Sequence, residues 1–210
     1  MTGQAKAKGE AKVPAAFAAT NVAVAAVAAA ALAEAVALAL SVPPLRAVIE
    51  QSMAWHMVFQ MPLLVLAGWL ASRSKLPKFS IRAMRGWASF NQFGLTGFMA
   101  AQIIVAYWML PSAIDRAIVL PAIDVLKLLT LFICGMLLAD AFKRAPSALQ
   151  LFFMGYWVSM MAWLGIYFAT TDLRLCNAYS LQSQVNTGWG LLALGAALGI
   201  AWVVSMLKKS

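Results

Sequence analysis

The chain has 210 residues, of which 63% are hydrophobic and only 11% are charged. A soluble domain of this size cannot bury so many apolar side chains, so the composition excludes a water-soluble protein and predicts one that lies in a lipid bilayer. A net charge of +9 would suit a nucleic-acid-binding surface if it covered a soluble face. The basic residues instead stand in short clusters between long apolar runs, and this pattern excludes nucleic acid as a partner.

Six apolar runs of about twenty residues follow one another, and each is long enough to cross roughly 30 Å of hydrocarbon as an α-helix. Backbone groups in lipid must bond within their own segment, and the runs lack the alternation of β-strands. The predicted spans cover about residues 15–40, 52–71, 89–110, 117–140, 148–170 and 188–207. We therefore predict an all-α fold, a polytopic membrane bundle of about six transmembrane helices. Residues 14–210 would form its single domain, behind a basic tail at 1–13.

The first run has an alternative interpretation. The residues 31–33, Ala-Leu-Ala, resemble the small-residue cleavage site of a secretory signal, and the basic tail precedes them. The apolar stretch is longer than the roughly 7–15 residues typical of a signal. We therefore expect an uncleaved helix, and cleavage would leave the orientation of the other five spans unchanged.

The positions of Lys and Arg predict how the chain crosses the membrane. Twelve of the sixteen lie on one side, in the tail, in segment 72–85, after the fourth span and at the C-terminus. The opposite side holds Arg46, Arg116 and Arg174. Since basic loops stay in the cytoplasm, we expect both termini inside.

Four residues of the second span predict a shared helix face: Met53, His56, Met57 and Gln60. Their spacing of three, four and seven residues places them on one side of a helix. Thioether and imidazole groups suit a soft ion, copper(I) above all, so His56, Met53 and Met57 are candidate metal ligands and copper a candidate cofactor. The alternative is structural, because Met is common in membrane helices and a lone His can simply bond a neighbouring helix.

The two cysteines do not predict a disulfide framework or a zinc site. Cys134 lies inside an apolar run, and Cys176 lies in the polar loop 171–187. An accessible thiol at Cys176 would be a further metal ligand, or would exchange with the disulfide of a partner protein. An unpaired loop cysteine with no role is the alternative.

The fourth span carries Asp124 and Lys127, one helical turn apart. Each ionised side chain costs about 2.5–3.5 kcal/mol at the centre of a membrane helix, so we expect the two to face the bundle interior as an ion pair. The pair is either structural or handles protons or ligands. Asp115 and Arg116 are expected in a short turn between the third and fourth spans.

Gly195 and Gly199 form a GxxxG pattern on the sixth span. Small residues at this spacing let two helix backbones approach each other closely, so we predict a helix-packing role for both.

Two stretches resemble the cytochrome c oxidase assembly factor family called CtaG. The first runs from His56 to Leu66, opening with His-Met-Val and continuing through Pro-Leu-Leu-Val-Leu; the second runs from Trp108 to Ala117, with Trp-Met-Leu-Pro followed by Asp115. The resemblance implies a polytopic protein of a bacterial cytoplasmic (inner) membrane that supports copper delivery to the oxidase. Where that family carries further histidines, this chain has Gln60 and Met61, and then Asp124 and Lys127.

Three functions fit these features. The first is non-enzymatic help in the assembly or copper metallation of a respiratory cytochrome c oxidase, with an oxidase subunit or a periplasmic copper chaperone as partner. The second is a small proton-coupled transporter that uses the Asp124–Lys127 pair. The third is a membrane anchor or accessory subunit of a larger complex. We expect no enzymatic activity, because the chain offers few groups that donate protons, accept them or hold a metal.

Overall fold

The structure, a computed structural model, describes residues 51–72 and 89–208. Within these ranges the chain forms six helices: α1 (Trp55–Ala71), α2 (Leu95–Trp108), α3 (Pro111–Val119), α4 (Pro121–Arg144), α5 (Ser147–Thr170) and α6 (Leu181–Leu207). The same ranges contain no β-strand, which confirms the all-α prediction for them. The predicted first span at 15–40, the tail at 1–13 and the basic residues of 73–85 lie outside the described residues.

Three of these helices, α4, α5 and α6, are each long and apolar enough to cross a bilayer. The count rises to four if α2 and α3, which meet at an angle of 72°, together make one broken span. The helix α1 is apolar but shorter. The described part of the chain therefore supports three or four of the six predicted spans.

The third and fourth predicted spans have different limits in the structure. The helix α2 begins after Gly94, whose φ of 74° is left-handed and cannot continue a right-handed helix. Pro111 and Pro121 each begin a new helix, because the residue before a proline is forced out of the α conformation. Asp115 and Arg116 consequently lie inside α3, and the expectation of a short turn there is wrong.

The sixth helix starts earlier than the predicted residue 188. The side chain of Ser180 caps it, since its Oγ accepts the Ser183 amide at 3.2 Å. The helix therefore begins at Leu181, and the polar loop ends at residue 180 rather than 187.

The helices α1 and α4 lie side by side and run in the same direction. They meet near their starts at His56 and Lys127, and again further along at Gly68 and Gly135. A Cβ at Gly68 would overlap the backbone of α4, so the second crossing depends on the absence of a side chain.

Further contacts show that α6 runs with α1, whereas α2 runs against α4 and α5 against α6. The contacting pairs are Met53 with Ser183, Val58 with Gly190, Trp108 with Thr130, Gly97 with Ala141, Gly165 with Gly188, and Met161 with Gly195. The bundle thus has two ends. The α3 end holds α3, the starts of α1, α4 and α6, and residues 171–180. The Arg144 end holds the opposite termini.

Large apolar side chains cover much of the outside of the helices. Trp163, Val119 and Leu207 are each at least 70% exposed. A soluble protein does not expose apolar surface on this scale, and lipid would cover it at no cost. The inner faces pack into a core that includes Met57, Leu131 and Leu191, all buried.

Candidate functional site

The start of α1 brings the predicted metal-binding face into the core. The four residues of that face are all buried: Met53, His56, Met57 and Gln60. Residues Trp55–Gln60 form a π-helical turn, in which the Met61 amide donates to the His56 carbonyl oxygen five residues earlier. The wider turn directly precedes Pro62, whose ring would clash with the carbonyl group four residues before it in a regular α-helix.

Lys127 lies between two ionisable partners in the interior of the bundle. Its Nζ is 2.6 Å from Asp124 Oδ1 and 3.3 Å from His56 Nε2. Lys127 and His56 are 0% exposed, and Asp124 is 5% exposed. The sequence spacing predicts the contact within α4, but the contact with His56 joins positions 71 residues apart. These three residues are called the buried triad below.

The start of α4 positions two members of the triad. Pro121 begins the helix, and Asp124 lies in its first turn, where the partial positive charge of a helix N-terminus favours an anion. One turn further along, Trp108 Nε1 donates to Thr130 Oγ1 at 2.8 Å, which holds the end of α2 against α4. The end of α2 is thereby held one helical turn from Lys127.

The contact between Lys127 and His56 restricts where the protons of the triad can lie. If Lys127 is an ammonium, which only donates hydrogen bonds, His56 Nε2 accepts, and a neutral imidazole then carries its proton on Nδ1. With Asp124 ionised and Lys127 protonated, the three side chains have no net charge. A proton on Nε2 would place two cations 3.3 Å apart in a low-dielectric interior. Protonation of His56 and its contact with Lys127 therefore exclude each other.

Residues 171–180 fold over the triad at the α3 end of the bundle. The Tyr179 ring is buried, and its centroid lies 6.5 Å from that of the histidine ring. Arg174 Nε donates to the Tyr179 carbonyl oxygen at 2.7 Å. The first turn of α6 holds the other side, since Gln184 Oε1 accepts the Leu175 amide at 3.0 Å. We call residues 171–180 the covering segment.

Cys176 lies inside the covering segment and is only 1% exposed. Its Sγ donates to the Pro111 carbonyl oxygen at 3.9 Å, while the next two backbone amides donate to Asp115 of α3. The expectation of an accessible thiol is therefore wrong. Burial, with a smaller contribution from the negative charge of Asp115, raises the pKa of the Cys176 thiol to about 12. The thiol stays protonated at neutral pH and is a weak nucleophile.

The candidate metal ligands fit copper only in part. Met53, Met57 and Cys176 belong to one large buried cluster, so three soft sulfur donors lie in the same part of the core. The ring nitrogen His56 Nε2, however, is engaged by Lys127, whose charge opposes a bound cation. No three His, Cys, Asp or Glu side chains are grouped to hold a metal in residues 51–72 and 89–208.

The predicted packing glycines lie where α6 meets α5. A Cβ at Gly195 would be 3.2 Å from Met161 Cβ, and one at Gly199 would be 3.4 Å from a Val158 methyl group. The tighter approach between these helices is at Gly165 and Gly188, where a Cβ on either would press on the other's backbone. The sequence pattern identified the helix face but not its closest point.

The sequence patterns did not single out two buried residues at the α3 end, Tyr179 and Gln184. The sequence contains one indication of where they lie, because Ser180 is a favoured N-cap residue and predicts a helix that begins directly after it. With α6 begun at Leu181, Gln184 falls in its first turn, facing the loop that precedes it.

The chain matches no family model, no curated protein and no solved structure.

Proposed function

We propose that the chain is a small proton-coupled carrier of a bacterial cytoplasmic membrane, and that the buried triad is the group through which it handles protons. One observation carries the proposal: the fully buried Lys127 ammonium contacts both the Asp124 carboxylate and the His56 imidazole. All three side chains gain and lose protons, and ionisable groups inside a membrane bundle commonly form proton or substrate pathways.

The energetic cost of burying Asp124 and Lys127 supports a functional role for their charges. Breaking a buried ion pair by removing one partner costs about 3–5 kcal/mol, but replacing both partners with apolar residues is often neutral or stabilising. A bundle that needed only stability would do as well with apolar side chains at both positions of the pair. We therefore assign the charges of Asp124 and Lys127 a part in the activity.

The proposed step follows from the proton arrangement. When His56 takes up a proton at Nε2, its contact with Lys127 is lost and the ammonium stays with Asp124; when the proton leaves, the contact forms again. At Gly68 and Gly135 the backbones of α1 and α4 approach so closely that a Cβ on either glycine would overlap the other helix. In the proposed step this crossing stays closed, and separation of His56 from Lys127 loosens the bundle at the α3 end, which couples proton uptake to access from that side.

Proton flux into liposomes containing the purified protein and a trapped pH indicator tests the proposal. A pH gradient is imposed, and a small-metabolite extract of the source cells is supplied outside as the cargo pool. We expect extract-dependent proton uptake that falls at least ten-fold in Lys127→Met and Asp124→Asn. The matched control is Lys208→Met, an exposed lysine at the Arg144 end and outside the triad, which should retain the flux. Wild-type flux equal to that of empty liposomes would overturn the proposal.

A second measurement reports on the triad itself. The chain has one histidine, so ¹⁵N labelling of His gives one imidazole to observe. We expect a neutral ring protonated on Nδ1 at neutral pH, and a different titration midpoint in Lys127→Met. A ring whose titration does not respond to Lys127→Met would contradict the proposed coupling.

The second candidate is a role in copper metallation or assembly of a respiratory oxidase, as the CtaG resemblance implies. The observation that favours it is the buried cluster containing Met53, Met57 and Cys176 next to His56. Copper(I) titration against a competing chelator tests it, with Met57→Ala and His56→Ala as variants. Exposed Met99 of α2 supplies the control variant Met99→Ala. Binding that is absent, or that survives Met57→Ala, would reject this candidate.

The proposed carrier has six spans and both termini in the cytoplasm. The alternating directions of the described helices and the basic residues Lys143, Arg144 and Lys208 at the Arg144 end are consistent with this arrangement. In that orientation the buried triad and the covering segment are nearest to the extracytoplasmic side.

A further inference from the structure

A cavity of about 720 Å³ lies between α1, α2, α4, α5 and α6. Small-molecule and cofactor sites commonly measure about 300–1,000 Å³, so its size is that of a ligand site. It runs inward from the exposed residues Leu66 and Leu198 to the buried residues Leu131 and Leu138. Its inner part reaches within one helical turn of Lys127, because Leu131 follows that residue by four positions.

The wall of the cavity is apolar along nearly all of its length. Aromatic side chains contribute much of it, among them Trp69, Phe142, Trp157 and Trp202. The polar exceptions are Lys143, Gln150 and Ser205, which all lie at the Arg144 end. A molecule that fits this wall has a long apolar part and a polar group at one end.

Charge at the mouth selects the sign of that polar group. The Lys143 side chain is exposed and forms no ion pair with any residue described, whereas its neighbour Arg144 is paired with Asp140. Basic residues between membrane helices at a bilayer surface bind the phosphate of anionic lipids.

The cavity opens at the exposed residues Leu66 and Leu198, and its apolar wall excludes water, so apolar groups from its surroundings fill it. In a bilayer, the most abundant apolar groups are the acyl chains of the lipids. We propose that the cavity binds an anionic phospholipid, with one acyl chain lying between α1 and α5 and the phosphate at Lys143. This site is distinct from the buried triad and does not depend on the carrier proposal.

Tryptophan quenching by brominated lipids tests the site, because Trp69, Trp157 and Trp202 line the cavity. The delipidated protein in detergent micelles is titrated with phosphatidylglycerol brominated on its acyl chains, and separately with phosphatidylcholine brominated in the same way. We expect saturable quenching by the anionic lipid at lower concentration than by the zwitterionic one. Equal saturation curves, or quenching that never saturates, would overturn the proposal.

Two variants separate the headgroup contact from the acyl-chain contact. Lys143→Gln should weaken phosphatidylglycerol binding about five-fold, as expected for one basic residue at a membrane surface, and leave phosphatidylcholine unchanged. Lys208→Gln, at the same end but outside the cavity wall, should change neither. Ala139→Phe puts a ring into the cavity and should abolish saturable quenching by both lipids, whereas Ala197→Phe on the outside of α6 should not.

Folding of each variant is checked by its helical circular dichroism signal. If Ala139→Phe loses that signal, Leu138→Trp, also on the cavity wall, replaces it. Unaltered binding of phosphatidylglycerol by a folded cavity-filling variant, or by Lys143→Gln, would reject the assignment of this lipid to the cavity.

Discussion

The Lys127 side chain has no contact with water and contacts Asp124 and His56. A substitution of Lys127 therefore changes the free energy of burying the Asp124 carboxylate. Lys127→Met would leave Asp124 buried without its cation, so we expect the free energy of unfolding to fall by about 3–5 kcal/mol. The double variant Asp124→Leu, Lys127→Met removes both charges and should recover most of the loss. Equilibrium unfolding of the purified protein in detergent micelles measures both.

The matched comparison is the ion pair between Asp140 and Arg144, whose side chains are partly exposed. Because water already solvates that pair, Arg144→Met should cost less than about 1 kcal/mol. If the double variant were as unstable as Lys127→Met alone, the unpaired charge of Asp124 would not be the cause of the lost stability.

Burial of Cys176 predicts a thiol that reacts slowly with alkylating reagents. Its pKa is raised from 9.0 to about 12, so we expect the native protein to react poorly with a maleimide at pH 8, and to react fully after unfolding. A Cys134→Ala background isolates the signal. The folded state favours the protonated thiol, so this contribution to stability is complete below pH 9 and is lost as the pH rises towards 12. Rapid labelling of the native protein at pH 8 would contradict the observed burial.

Sequence spacing predicts a side-chain contact when both residues lie on one helix. Asp124 and Lys127 are one turn apart, so their contact could be expected from the costs of burying charge. The contact of Lys127 with His56 could not, because nothing in the local sequence states which two helices are neighbours. For the same reason, the burial of Cys176 depends on α3 and α6 and was not visible in the polar loop itself.

The crossing of α1 and α4 is the element contact least able to accept a side chain. A Cβ at Gly68 would overlap the Phe132 carbonyl oxygen, which belongs to the backbone and cannot rotate away. We expect Gly68→Ala to lower the free energy of unfolding by about 1–3 kcal/mol or more, as overpacking does. Thermal unfolding in micelles is the measurement.

Gly155 of α5 is the control for this substitution, since a Cβ there would meet nothing within 4 Å. Because alanine favours the helix over glycine by roughly 0.5–1 kcal/mol, Gly155→Ala should leave stability unchanged or raise it slightly. If both variants behaved alike, the close approach at Gly68 would be refuted.

The limits of the elements follow from a few local residues. The predicted fifth span at 148–170 differs from α5 by one residue, because Pro146 and the polar loop bound its apolar run clearly. The boundaries around α3 were missed, although Pro111 and Pro121 stand in the sequence. Hydropathy does not register a proline that divides one apolar stretch into two helices, and it cannot report the 72° angle between α2 and α3.

At the scale of the whole molecule, the proposed orientation predicts which ends are accessible from each side of the membrane. Ala178 in the covering segment and Ser147 at the start of α5 are both exposed, at opposite ends of the bundle. We expect a membrane-impermeant maleimide to label Ala178→Cys in intact cells, and Ser147→Cys only after lysis. The reverse pattern would place the termini outside. Equal labelling of both before lysis would argue against a spanning bundle.

Composition and run length suffice to predict an all-helical protein with membrane-length segments, because the bilayer allows few alternatives. The full set of six spans remains a prediction, since its first member and the main basic loop fall outside the described residues. The cavity could not be predicted, because its wall is assembled from five helices and no sequence pattern marks a space left between them.

The π-helical turn at Trp55–Gln60 sets the register between the start of α1 and the rest of that helix. The turn holds one residue more than a regular helical turn, and each residue of an α-helix is rotated by about 100° from the last. The first residues of α1 are therefore turned by about that angle from the positions that an unbroken α-helix would give them. With the wider turn, His56 contacts Lys127 while the same helix crosses α4 closely at Gly68, so the extra residue lets one helix make both contacts with α4.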